Sequence, residues 1–265
     1  MASCLGMTLA FFSLFKLIMN TIEVSAYSVQ WAIDAQKAGA HRVELCDNIY
    51  EGGTTPSIAC IKLARKNLQI ELYVIIRPRG GDFLYSDIEF ETMKRDIEIA
   101  KEAGVDGFVF GLLNIDGSID MERTKELVEL SKPKKVTFHR AFDVAKDAFN
   151  ALEDIILCGC DRILTSGQKN NAFEALPLIS ELVKIAGNRI SIMPGSGIDE
   201  NNILKIKKKT GAKEFHLSGK KTMQSKMNYI NENVSFNALG QSSIPEHAEL
   251  DVEIIKKVVG IAQRA

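Results

Sequence analysis

The sequence predicts an α/β protein, a single-domain (β/α)8 TIM barrel, on three observations. Short β-rich apolar runs alternate with longer segments of helical period, as in strand–helix units around a parallel sheet. Eight strand-like runs occur in 265 residues, which is a usual length for such a barrel. Several helical segments also end on a glycine just before the next strand, as helix C-termini prefer. A doubly wound open sheet is the alternative, although it more often has fewer units.

The predicted elements follow one another in a regular order. The strands are 21–25 (TIEVS), 42–46 (RVELC), 70–76 (IELYVII), 107–111 (GFVFG), 135–139 (KVTFH), 162–166 (RILTS), 189–193 (RISIM) and 214–218 (EFHLS). The helical stretches between them include SVQWAIDAQKAG, DIEFETMKRDIEIAKEAG, RTKELVELSK, DAFNALEDIILCG and AFEALPLISELVKIAG. A polar segment, 219–247, then shows little periodicity and leaves open whether it closes over the barrel as a lid. A last helix, DVEIIKKVVGIAQRA, follows it.

The first nineteen residues are predicted to form an extension, and the barrel domain is predicted to span 20–265. The apolar run in MTLAFFSLFKLIM has no basic residue before it, contains Lys16 and lacks a clear cleavage site. It is also short for a membrane span. We interpret 1–19 as an extension or as sequence upstream of a true start at Met19. A targeting segment is the alternative.

The composition excludes several classes of partner. With 33 basic and 34 acidic residues the formal net charge is −1, so no basic excess favours nucleic acid, and no long acidic or basic block suggests a solvating tail. We expect neither nucleic acid nor a membrane as a partner. Five cysteines (Cys4, Cys46, Cys60, Cys158 and Cys160) are odd in number and lack CxxC spacing. We interpret them as reduced thiols of a cytoplasmic protein rather than as a disulfide framework.

The fold places functional residues at the C-terminal ends of the strands and in the loops that follow them. The residues at these positions that could carry chemistry are Glu23, Ser25, Glu44, Cys46, Asp47, Arg77, Arg79, His139, Arg140, Asp143, Thr165, Ser166, Gly195, Gly197, His216 and Ser218.

Glu23 and Glu44 each stand between apolar neighbours within a strand, so their side chains are predicted to point into the barrel interior. One interpretation is structural, with each glutamate paired to Arg77 or Arg79. The other is catalytic, with a carboxylate acting as acid, base or metal ligand. His139 and His216, from two separate strand ends, are the other catalytic candidates.

The arginines at the strand ends indicate an anion. Arg77 and Arg79 follow a buried strand in IIRPRGGD, where two guanidiniums are costly to desolvate without a negative partner. Together with Arg140 they predict a small anionic ligand, either a carboxylate or a phosphate. Asp143 is either a neighbour of His139 or a helix cap, and a surface role for Arg140 is the alternative.

Two glycine-containing loops and one thiol complete the candidates. The loops TSG, with Ser166, and PGSGI, with Gly195 and Gly197, could present backbone N–H groups to a phosphate, or could be ordinary turns. Ser218 ends the eighth strand. Cys46 ends the second strand, where a thiolate would suit Cu(I). Cys158 and Cys160 precede the sixth strand, at the opposite end of the barrel.

Seven segments in unbroken order resemble the CutC family of copper homeostasis proteins. They are VELCDNIYEGGTTPS, IIRPRGGDFLYSD, GVDGFVFGLL, VTFHRAFD, RILTSG, IMPGSGI and EFHLS, and they cover about 22–218. The resemblance implies a TIM barrel, a cytoplasmic location, a homodimer or higher homo-oligomer, and a proposed role in Cu(I) binding. It also implies a cysteine at the end of the first strand beside that of the ELC motif. Here that position is Ser25, while Cys46 keeps the second.

Three functions follow as predictions. The first is a copper homeostasis protein that binds Cu(I) through Cys46, with copper as its cofactor. The second is a lyase, isomerase or hydrolase acting on a small phosphorylated or carboxylated substrate, with Glu44 and His139 as acid–base candidates. The third is a regulator that binds a small anion in the same pocket without turnover.

Overall fold

In the computed structural model, the structure describes residues 20–229, 231, 233 and 246–264. The predicted extension, 1–19, lies outside the described residues. None of the described helices is long and apolar enough to cross a membrane.

Eight parallel strands form one sheet. They are β1 (Thr21–Ala26), β2 (Arg42–Leu45), β3 (Glu71–Ile75), β4 (Gly107–Phe110), β5 (Lys135–Phe138), β6 (Arg162–Thr165), β7 (Ser191–Pro194) and β8 (Glu214–Leu217). Their order, β7-β6-β5-β4-β3-β2-β1-β8, keeps neighbours in sequence side by side, and β7 also contacts β8. The sheet is therefore a nearly closed barrel, and the predicted TIM-barrel fold is confirmed.

Helices alternate with the strands. They are α1 (Val29–Lys37), α2 (Ile58–Asn67), α3 (Asp87–Glu102), α4 (Met121–Ser131), α5 (Ala148–Cys158), α6 (Leu176–Ala186), α7 (Ile203–Thr210) and α8 (Val252–Ala262). Most begin at a residue whose side chain accepts a backbone N–H, and at Ser86 a full capping box with Glu89 starts α3. Short 3-10 turns occupy Ile49–Glu51, Arg140–Val144 and Ala172–Ala175.

Alternation along the strands decides which side chains enter the barrel. In β1, Ile22 and Val24 are fully buried in the apolar layer that packs on the helices, while Glu23 lies between them and hydrogen-bonds residues of neighbouring strands. The register places Ser25 beside Glu44 of β2 and Glu23 beside His216 of β8. The prediction that both glutamates point into the barrel is confirmed.

The polar segment after β8 contains a hairpin that the sequence analysis did not predict. Its strands, β9 (Lys220–Gln224) and β10 (Glu246–Leu250), pair antiparallel. Strand β9 is mostly exposed. Its sequence therefore lacks the alternation of apolar and polar residues that predicts a half-buried strand. Gly219 makes the turn out of β8 with φ +51, and a Cβ there would lie 2.5 Å from Ile255.

Candidate active site

A cavity of about 610 Å³ opens at the C-terminal end of the barrel. Nine of the sixteen predicted residues line it: Ser25, Glu44, Arg77, His139, Arg140, Asp143, Gly197, His216 and Ser218. Its wall also contains Tyr27, Phe83, Ser196 and Lys220. Seven predicted residues do not line it: Glu23, Cys46, Asp47, Arg79, Thr165, Ser166 and Gly195.

A chain of buried polar contacts forms the floor of the cavity. His216 Nδ1 lies 2.7 Å from Glu23 Oε1, and His216 Nε2 lies 3.7 Å from Glu44 Oε2. The other oxygen of Glu23 accepts a hydrogen bond from Arg42 Nε. Glu23 is therefore held from two sides, while Glu44 meets the cavity.

The two glutamates have opposite electrostatic environments. Burial raises the pKa of Glu44 to about 7, and the negative charge of Glu23 adds to this effect, although His216 opposes it. Burial would also raise the pKa of Glu23, but Arg42 and His216 outweigh it and hold that pKa well below its usual range. Burial disfavours the charged form of His216, yet its bond to Glu23 and the charge of Glu44 raise its pKa.

The ion-pair partners of Glu23 and of Glu214 in β8 are arginines at the starts of strands. Arg42 bonds Glu23 and also donates to Glu214 over 2.7 Å. Arg162 donates to Glu214 over 2.6 Å and to Thr137 Oγ1 over 3.1 Å. The sequence analysis missed these residues because it considered only the C-terminal ends of strands. The alternation in RVELC, RILTS and EFHLS puts them on the inward face and could have identified them.

The prediction that Arg77 pairs with Glu23 or Glu44 is wrong. Its Nη1 donates to the carbonyl oxygens of Glu51 and Gly53, at 2.6 and 2.8 Å, and its Nη2 donates to that of Gly81 at 3.0 Å. The dipoles of three loop carbonyls therefore stabilise this buried positive charge. Arg77 fixes the loops around the cavity and places a positive charge beside it.

The same prediction is wrong for Arg79. Its Nε donates to Glu89 of α3 over 2.6 Å, its Nη2 donates to Asp82 over 2.9 Å, and the guanidinium packs over the ring of Tyr85. The side chain therefore serves the outer helix and its loop, outside the cavity.

His139 is buried in the cavity wall. Its Nδ1 accepts the N–H of Ala141 at 3.2 Å, and its ring packs on Phe83 with centroids 4.9 Å apart. Burial together with the positive charges of Arg77 and Arg140 lowers the pKa of His139 to about 3. The charge neighbours of this histidine are thus arginines, and no hydrogen bond joins it to Asp143 among the described residues.

Asp143 organises the loop after β6. It accepts hydrogen bonds from Thr165 Oγ1 at 2.5 Å, from Ser166 N at 3.0 Å and from Arg140 Nε at 2.7 Å. Arg140 also donates to Ser166 Oγ at 2.9 Å. Ser166 is therefore an internal support of Arg140. Asp143 holds the loop after β6, and it caps none of the described helices.

The middle residues of the loop PGSGI, Ser196 and Gly197, line the cavity. Ser196 adopts φ +74, and its hydroxyl donates to the carbonyl of Asn170 at 2.8 Å. Gly197 has φ +70, and a Cβ there would lie 2.8 Å from the side chain of Asn171. Gly195 lies behind the wall, where a Cβ would lie 2.5 Å from Leu164. The glycines thus let the loop pack closely beside the site.

Cys46 lies beneath the loop that follows β2. Its thiol donates to the carbonyl oxygen of Glu44 at 3.7 Å, and a Cβ on Gly53 would lie 3.4 Å from its sulfur. Burial, with the charges of Glu44 and Glu23, raises the thiol pKa well above its usual value. Cys46 is thus a buried neutral thiol. Cys158 and Cys160 are also buried, and burial raises the pKa of each.

Glu23, Glu44 and His216 offer ligand atoms within 4.8 Å of one another. A cation among them would compete with the guanidinium of Arg42, which already neutralises Glu23. The donors are oxygen and imidazole nitrogen, which do not favour Cu(I) over harder ions. We therefore interpret this cluster as an acid–base group.

Comparison with known proteins gives consistent matches. The model described as the CutC family matches residues 20–221. A CutC family protein of Parabacteroides distasonis is 53% identical over 90% of this chain and 98% of its own length. The human copper homeostasis protein cutC homolog is 46% identical over 89% of this chain and 86% of its own length.

Solved structures support the same fold. The CutC protein of Streptococcus agalactiae is 38% identical, with a TM-score of 0.72, over 76% of this chain and 99% of its own. The N-(5'-phosphoribosyl)anthranilate isomerase of Pyrococcus furiosus is 11% identical, with a TM-score of 0.56, over 93% of this chain and 100% of its own. The second likeness shows the barrel fold alone.

The lowered pKa of His139 predicts a pH dependence of stability. The unfolded chain binds a proton on this histidine below about pH 6.5, whereas the folded chain binds it only near pH 3. The free energy of unfolding therefore falls as the pH falls through this window. His139→Gln removes this contribution, so between about pH 6 and pH 4 the variant loses roughly 2 kcal/mol less stability than wild type.

Urea unfolding at several pH values measures this difference. His247→Gln is the matched control, because that ring is exposed, and its pH profile should follow wild type. Parallel profiles for wild type and His139→Gln would contradict the prediction.

Proposed function

The chain belongs to the CutC family, and from that premise we propose that its barrel is an acid–base enzyme for a small molecule bearing a carboxylate or phosphate. One observation carries the proposal: two adjacent carboxylates have pKa values that their surroundings shift in opposite directions. Pairs of titratable groups separated in this way are typical of acid–base sites. The separation leaves Glu44, on the cavity side, able to exchange a proton near neutral pH.

Glu44 acts as the base when ionised and as the acid when protonated. His216 faces it through Nε2, and the bond from His216 Nδ1 to Glu23 fixes the orientation of the imidazole ring. The positive charge that His216 can carry helps Glu44 to ionise, whereas burial and Glu23 oppose ionisation. Glu23 and His216 are thus positioning residues in this proposal.

The anionic group of the substrate meets the basic side of the cavity. Arg140 lines it with its guanidinium supported by Asp143 and Ser166, and Lys220 lines it without an ion-pair partner among the described residues. Backbone around Gly197 adds a close approach for a phosphate oxygen. A carboxylate or phosphate would be bound by charge-assisted hydrogen bonds here.

The residues present do not fit Cu(I). Copper homeostasis appears in the names of the human and mouse relatives, but a Cu(I) site requires accessible soft donors. Ser25 offers a hydroxyl, and Cys46 is a buried thiol whose raised pKa disfavours the thiolate. We therefore derive no step that involves copper.

A carboxyl titration tests the base. In protein labelled with ¹³C at the glutamate side-chain carboxyl, one resonance should titrate at about pH 7, because burial raises the pKa of Glu44. That resonance should disappear in Glu44→Gln and remain in Glu129→Gln, a matched variant of an exposed glutamate. If every glutamate resonance titrated below about pH 5.5, Glu44 would not be the proposed base.

Anion binding tests the substrate class. Inorganic phosphate or oxalate should raise the melting temperature of the wild-type protein in a saturable way, since each binds the folded state. Lys220→Gln should weaken the apparent affinity about tenfold through loss of one charge-assisted contact. Lys221→Gln is the matched control, because Lys221 follows in β9 but does not line the cavity.

A melting temperature that is indifferent to both anions would contradict the proposal. If the anions bind saturably but the protein catalyses no reaction that depends on Glu44, the results would favour the alternative, a regulator that binds the anion without turnover.

Titration with Cu(I) tests whether the protein binds copper, as the names of its relatives suggest, although its residues do not fit a Cu(I) site. The reduced protein is titrated in competition with a Cu(I) chelator, with Cys46→Ser alongside. We expect weak binding that the substitution leaves unchanged, because the thiol is buried and no second cysteine lies beside it in the part of the chain that the structure describes. Tight, stoichiometric binding that Cys46→Ser abolishes would restore the copper function.

A further inference from the structure

Two buried donors in the cavity wall, Arg77 Nε and His139 Nε2, have no acceptor among the described residues. The His139 residue is only 5% exposed, and its Nε2 forms no hydrogen bond among the described residues. Because Nδ1 accepts the N–H of Ala141, the proton of the neutral ring is on Nε2. Buried donors are almost always paired, so this N–H indicates a hydrogen bond that a ligand supplies.

The ring is held in one orientation. Phe83, which also lines the cavity, packs against it with ring centroids 4.9 Å apart, and Gly111 leaves room beside Nδ1, where a Cβ would lie 2.6 Å from that atom. The Nδ1 edge thus faces Ala141 and Gly111, and Nε2 is on the opposite edge of a residue that lines the cavity. This N–H is a fixed donor, as pre-organised electrostatic stabilisation requires.

The ring is also kept uncharged. Arg77 and Arg140 place positive charge near it, and Arg77 cannot move away because three loop carbonyls hold its guanidinium. His139 therefore does not exchange a proton near neutral pH, which differs from the general acid–base role predicted from the sequence. A neutral imidazole N–H serves instead as an electrophile that polarises a carbonyl oxygen.

We propose that His139 donates its Nε2–H to a carbonyl oxygen of the substrate, so that the site enolises small carbonyl compounds that carry a carboxylate or phosphate. This inference rests on the proposed function, with Glu44 as the base. The Glu44 carboxylate takes the proton from the carbon beside the carbonyl. The C–H electron pair forms the C=C bond of the enolate, and the π pair of the C=O bond moves to the carbonyl oxygen. The enolate oxygen accepts the hydrogen bond from His139, which keeps its proton, and Glu44 returns its own proton to carbon.

The tautomer and the hydrogen bond are measured directly. The chain has only 4 histidines, so long-range ¹H–¹⁵N spectra of ¹⁵N-histidine-labelled protein resolve each ring, and His139→Gln assigns the resonance. We expect a neutral Nε2–H ring from about pH 5 to pH 8. Oxalate, a planar analogue of the enolate of a 2-oxo acid, should move the Hε2 resonance downfield, while that of His41, at the other end of the barrel, stays unchanged.

A protonated ring at neutral pH, the Nδ1–H tautomer, or an Hε2 resonance that oxalate leaves in place would overturn the inference. These results would leave the role of Glu44 standing, because they do not concern that residue.

Exchange of substrate protons measures the chemistry. Pyruvate and dihydroxyacetone phosphate are incubated with the protein in D₂O, and loss of the ¹H signal beside the carbonyl is followed by NMR. Wild type should catalyse the exchange and Glu44→Gln should not. His139→Phe keeps a ring but removes the donor, so we expect a loss of about 10²–10³-fold, the usual effect of one oxyanion donor. His139→Gln restores an N–H and should recover part of the rate.

The outcomes separate the two proposals. A wild-type rate in folded His139→Phe would overturn the role of His139 while the base remains. Absence of exchange from both probes with wild-type protein would overturn enolisation itself. Thermal unfolding of each variant shows whether it is folded.

Discussion

The buried ion pair of Arg42 and Glu23 is the interaction on which the rest of the site depends. A charge inside a barrel is costly unless it is paired and hydrogen-bonded, and removal of one partner of a buried pair typically costs about 3–5 kcal/mol. Here Arg42 joins Glu23 to Glu214, and Arg162 shares Glu214, so the charges neutralise one another across strands. The barrel can therefore hold a carboxylate directly beneath its cavity.

That arrangement contributes to the raised pKa of Glu44. Burial raises the pKa of Glu44, and the negative charge that Arg42 stabilises on Glu23 adds to this effect because it disfavours a second negative charge nearby. His216 lies between the two carboxylates and couples them. Glu44 is consequently poised between its two protonation states, which a carboxylate with its own arginine would not be.

The fold could be predicted from the sequence because the alternation of strands and helices extends over nearly the whole barrel. The inward orientation of Glu23 and Glu44 followed from the same alternation. The partners of the arginines could not be predicted. Arg77 donates to loop carbonyls, which every residue type carries, and Arg79 pairs with Glu89 of α3, a contact that depends on the path of the intervening loop. The β9–β10 hairpin was missed because β9 is exposed and polar.

The two histidines of the cavity show how one residue type acquires two properties. His216 lies between carboxylates, so its charged form is favoured, whereas His139 lies beside arginines, so its neutral form is favoured. Both come from strand ends of similar sequence, and only the partners contributed by other strands and loops distinguish them. An acid–base carboxylate beside one histidine, in the same cavity as a neutral donor from the other, is a combination suited to the removal of a proton beside a carbonyl. The same buried charges therefore contribute to the stability of the barrel and set the protonation states on which the proposed chemistry depends.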